Sequence, residues 1–138
     1  MMSSADRLTA SARAAFVAVA WAFVACLVVQ LFLVGLDVFE VVGADSAIHR
    51  QFAYVYGWLA PGLVLLAAAA RLPRNRLLEA VLLLVLFSVQ TYLPTLVDRA
   101  PLLAAFHSVN ALAVFMVAVH LARRATDPVG PRQSNGGP

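Results

Sequence analysis

Four apolar runs, at residues 14–36, 47–72, 77–97 and 101–122, take up most of this chain. A spanning helix needs about 20 mostly apolar residues, and each run supplies them. Inside lipid no water satisfies free backbone groups, so only helices and closed barrels cross. The runs lack the in–out alternation of barrel strands. The sequence therefore predicts an all-α fold, a transmembrane four-helix bundle occupying residues 1–124. Composition agrees: 62% of the residues are hydrophobic and the mean hydropathy is +0.85, beyond the range of soluble domains. Residues 125–138 are polar and rich in Gly and Pro, and read as a disordered tail. The first run is too long for the apolar core of a signal peptide and lacks a clear cleavage site, so it reads as a retained span.

All ten basic residues are arginine, and they are placed unevenly. Arg7 and Arg13 precede the first run, Arg71, Arg74 and Arg76 lie between the second and third, and Arg123, Arg124 and Arg132 follow the fourth. Only Arg50 and Arg99 fall on the other side, which also holds Asp37, Glu40, Asp45 and Asp98. The positive-inside bias predicts both termini in the cytoplasm, and a multi-pass protein of a bacterial inner membrane. The net charge of +3 is then a topology signal; its basic residues are split among three sites and form no nucleic-acid surface. Cys26 is the single cysteine, so no intramolecular disulfide forms.

The two halves of the chain read as a repeat. VVQLFLVGLD (28–37) parallels SVQTYLPTLVD (88–98), and AIHRQFA (47–53) parallels AFHSVNA (105–111). Each half is a helix ending in Gln, a loop, and a helix opening on His. Two helices per half keep the halves in one orientation, which is a parallel repeat. Strong polar groups are costly in hydrocarbon and face the bundle interior. They are few: Gln30, His49, Gln90, His107 and Asn110, all toward the end away from the arginines. At about 1.5 Å per residue, Gln30 lies about 25 Å from Arg13, Gln90 about 21 Å from Arg76 and His107 about 24 Å from Arg123. His49 lies about 33 Å from Arg71 on the same measure, a mismatch that a kink near Pro61 or helix tilt would reduce.

His49 shares a helix side with Ala53, Gly57 and Ala60, and His107 with Ala104, Ala111 and Ala118. Small residues serve close helix packing; they also leave room for a flat cofactor. Neutral imidazole is a good axial ligand for haem iron, and a four-helix bundle is a natural frame for it. His49 and His107, on alternate spans, are the expected axial ligands of a haem b. Arg50 is placed to pair with a propionate, and Gln30 and Gln90 to orient ligands or propionates. With both axial positions filled, iron has no open site for oxygen, so the expected task is electron transfer or a haem-handling accessory role. Read singly, His107 needs no more than a hydrogen bond to a glutamine, and Arg50 no more than the headgroups. His120 stands at the opposite end beside Arg123 and Arg124, without a histidine partner at its depth.

The stretches VVQLFLVG, AIHRQFA, LFSVQTYLPTLV and LLAAFHSVNALAVF resemble one four-helix half of haem A synthase. That resemblance implies a haem-b bundle with His49 and His107 as ligands. The chain departs from the family where Ser46 and Ala47 stand ahead of His49, in lacking paired loop cysteines, and in having one half only. Oxidase activity does not follow from it. The whole chain is also similar to small, uncharacterised four-span bacterial membrane proteins. A second function fits the same residues: a cofactor-free structural or assembly subunit of a larger membrane complex, respiratory or haem-related, with the His and Gln residues binding helix to helix. A small transporter ranks last, since Glu79 falls near the end of its span close to Arg76 and reads as a surface pair. No phosphate loop, HExxH or nucleophile–base pairing marks an enzyme.

Overall fold

The computed structural model describes residues 3–41 and 46–126. Asp45, Arg132 and the expected tail from residue 127 onward lie outside them. Helix α1 runs Ser4–Val38, α2 Ser46–Tyr56, α3 Leu59–Ala69, α4 Arg74–Tyr92 and α5 Pro101–Thr126, with a 3₁₀ turn Leu93–Leu96 after α4. Taken with that turn, and with α2 and α3 as one broken span, they give four helices long and apolar enough to cross a membrane. No strand occurs among the described residues. The chain is an all-α, multi-pass membrane protein.

Element boundaries differ from those expected most at the outer ends of the first and fourth spans. Helix α1 starts ten residues before the apolar run because Ser3 and Asp6 close a capping box: Asp6 N–H donates to Ser3 Oγ, and Ser3 N–H to Asp6 Oδ2, both at 3.1 Å. At its other end α5 runs past residue 124 to Thr126. The regular helix of the second span is interrupted at Gly57 and Trp58. Pro61 is the physical cause: it has no N–H for the Gly57 carbonyl, which accepts from Ala60 N–H at 3.1 Å instead.

The spans pack as a ring: α1 against α3 and α5, α4 against α3 and α5. Spans two and four are therefore diagonal neighbours, and α2 rests chiefly on α1. Buried alanines (Ala20, Ala60, Ala67, Ala80, Ala118, Ala122) let the backbones approach, and Phe16, Leu63, Leu83 and Leu121 fill between them. Large side chains such as Leu31, Phe32, Val55, Trp58 and Leu102 face outward, as they do when the solvent is lipid.

The core is not uniform along the bundle. It fills the arginine end and closes toward the histidines with an aromatic layer, where Phe23, Tyr56 and Phe87 meet edge to face at centroid distances of 5.4–5.5 Å. Beyond that layer none of the described residues is fully buried. Gly57 belongs to this packing. A Cβ there would sit 2.8 Å from Phe87 Cε1, so the room it leaves is taken by a phenyl ring and not by open space.

Candidate functional site

Each histidine meets the glutamine of its own hairpin. In the first half Gln30 Nε2 lies 3.2 Å from His49 Nε2 and donates to the His49 carbonyl at 3.0 Å. An amide nitrogen only donates, so His49 Nε2 accepts and its proton sits on Nδ1. That Nδ1 is buried with no partner, and so is Gln30 Oε1. In the second half Gln90 Nε2 lies 3.1 Å from His107 Nε2, while His107 Nδ1–H donates to the Gln90 carbonyl at 2.9 Å. Asn110 completes this group: its Nδ2 donates to Gln90 Oε1 at 2.7 Å and to the Leu86 carbonyl at 2.9 Å.

One residue explains why the second group closes. The Gln90 carbonyl would ordinarily accept from residue 94, but that residue is Pro94 and has no N–H. The freed oxygen takes the His107 proton. In the first half the corresponding position is Val34, inside continuous α1, which keeps its N–H. His49 Nδ1 makes no hydrogen bond there to match the one His107 makes.

His107 carries the arrangement of an axial ligand, with Nδ1–H fixed on a backbone carbonyl and Nε2 left as the lone-pair nitrogen. His49 also has its lone pair on Nε2. In both hairpins the lone-pair Nε2 is taken up by the glutamine amide. Arg50 is exposed on α2, next to His49 in sequence. No group of three or more His, Cys, Asp or Glu gathers among the described residues.

At the arginine end the structure corrects one pairing. Glu79 does not pair with Arg76; its Oε1 accepts from Arg124 Nη1 of α5 at 2.5 Å, with His120 Nε2 3.8 Å away. Arg76 is itself only 9% exposed. Arg13 Nε donates to the Ala70 carbonyl at 3.3 Å, a cation on the C-terminal end of α3.

Residues 30–96 match DUF6220, a family of unknown function. The chain is similar to that family over just under half its length. The match opens on Gln30 and takes in His49, Arg50, Gly57 and Gln90, but ends before His107 and Asn110. No curated protein and no solved structure matches. Together the match and the helices support an uncharacterised membrane protein, and the haem A synthase likeness rests on its short motifs alone.

Proposed function

We propose that this protein is a b-type haem protein of the bacterial inner membrane, with His49 and His107 as axial ligands. The arginine end would face the cytoplasm, and the task would be electron transfer or haem handling within a respiratory or haem-related complex. The observation that carries this reading is the layer of two Gln–His pairs, with the histidines on diagonal spans, lying just where the apolar core ends. Four half-buried polar side chains at the thinnest-packed level of a membrane bundle are costly unless they hold something. Haem supplies one-electron chemistry when bound. The chain's own part is to present two Nε2 lone pairs, fix the His107 ring through the Gln90 carbonyl, and offer Arg50 to a propionate. An absorption spectrum of protein purified from haem-sufficient cells tests it: paired visible bands are expected, abolished by His49→Ala and by His107→Ala. A colourless protein overturns it.

The closed Gln90–His107–Asn110 group favours a second reading. A saturated network of this kind holds α4 to α5 without any cofactor, at about 0.6–1.7 kcal/mol for each interhelical hydrogen bond. The protein would then be a structural or assembly subunit. A stable partner retained by the His49→Gln, His107→Gln double variant would select that reading.

A further inference from the structure

The lipid-facing side of α4 and α5 holds a second feature. A groove of about 470 Å³ lies between Val89 and Leu93 on one side and Leu103, Phe106, Val109 and Ala113 on the other, with Asn110 its single polar lining residue. The groove is open along its outer side and offers one polar group on an apolar wall. Asn110 has a defined polarity here. Both hydrogens of its Nδ2 are spent, on the Leu86 carbonyl and on Gln90 Oε1. What it has left to offer the groove is the carbonyl oxygen, Oδ1, an acceptor. A lipid acyl chain has no donor to give it. A hydroxyl on a flat apolar ring does, and the half-exposed Phe106 ring supplies an aromatic partner beside it.

We infer that this groove binds a hydroquinone-headed lipid, the reduced form of an isoprenoid quinone, through a hydroxyl donated to Asn110 Oδ1. The same chemistry discriminates between redox forms. A quinone carbonyl would face another carbonyl oxygen and gain no hydrogen bond. Asn110 is hydrogen-bonded through Gln90 to His107, so an occupant touching Asn110 is two hydrogen bonds from that imidazole. Binding itself does not depend on haem.

The test uses the full chain, haem-free, in phosphatidylcholine nanodiscs under anaerobic conditions. Decylhydroquinone and decylbenzoquinone are each partitioned between protein-loaded and empty discs. Saturable excess retention of the hydroquinone is expected, at least fivefold above the quinone. Val109→Trp fills the groove from its outer wall without touching the hydrogen bonds, and should abolish the excess while circular dichroism stays helical. Asn110→Leu should remove the preference between the two forms; because it also loosens α4 from α5, Val109→Trp is the deciding variant. Equal retention of both forms, or retention unchanged by Val109→Trp, overturns the inference and leaves a groove filled by acyl chains. Because no haem is present, neither result bears on the spectrum that tests the haem reading.

Discussion

The two hairpins carry the same Gln and His at matching places, yet one closes its hydrogen bonds and the other does not. Around His107 every side-chain nitrogen has a partner; around His49 a ring nitrogen and an amide oxygen are buried without one. The difference traces to backbone chemistry. Pro94 frees a carbonyl for His107, whereas Val34 keeps an N–H that competes for the Gln30 carbonyl. The supporting helices differ as well, since α5 is continuous and the second span is broken below His49. A duplicated motif thus yields one rigid imidazole and one with an unmet hydrogen-bonding requirement.

The largest effect should separate the halves directly. His107→Ala removes two hydrogen bonds and strands Gln90, so it should destabilise the protein by about 2–3 kcal/mol, against about 1 kcal/mol or less for His49→Ala. Denaturant titration in mild detergent measures both; equal losses would break the contrast. Gly57→Ala comes next and tests the broken span. The added Cβ would lie 2.8 Å from both Phe87 Cε1 and the Ala53 carbonyl, so a loss of about 1–2 kcal/mol is expected, partly recovered by Phe87→Leu. No recovery would mean that the backbone contact, not the ring, sets the limit. Pro94→Ala should cost about 1 kcal/mol or less by returning an N–H to compete for the Gln90 carbonyl. Its specific readout is the His107 Nδ1 proton, which should lose its hydrogen-bonded chemical shift and come to resemble that of His49. An unshifted resonance would remove Pro94 from the explanation.

How far this arrangement could be read from sequence depends on which constraint acted. Lipid imposes composition on every spanning residue, so the four runs were plain in the one-dimensional pattern. The Gln–His correspondence was legible because it repeats at similar separations, 19 and 17 residues. The early start of α1 had a signal, Ser3 followed three residues later by Asp6, but a polar turn lies outside any hydropathy window. The break at Gly57 was readable in outline from Pro61, through the carbonyl four residues earlier. Pairing of Glu79 with Arg124 was not, because 45 residues separate them and helix rotation decides which neighbour a carboxylate meets. The contrast between Pro94 and Val34 was visible as letters. Its meaning required knowing that the His107 ring comes within reach of that one carbonyl.

The smallest expected effect concerns how the hairpins turn. The first leaves α1 through Glu40 at φ 51°, with Glu40 N–H on the Asp37 carbonyl and Val41 N–H on the Leu36 carbonyl. This is a helix-ending turn whose left-handed residue is ordinarily glycine. A side chain there costs about 1 kcal/mol that glycine avoids, partly offset by glycine's greater freedom in the unfolded chain. The second hairpin turns instead through Leu93–Leu96 and Val97, with no positive φ among its described residues. Glu40→Gly should therefore stabilise the protein by about 0.5 kcal/mol, while a glycine at Thr95 should destabilise it by a similar amount. Matched unfolding curves of the two variants decide it. If both shift the same way, the hairpins do not differ in backbone strain, and the contrast between them reduces to the proline alone.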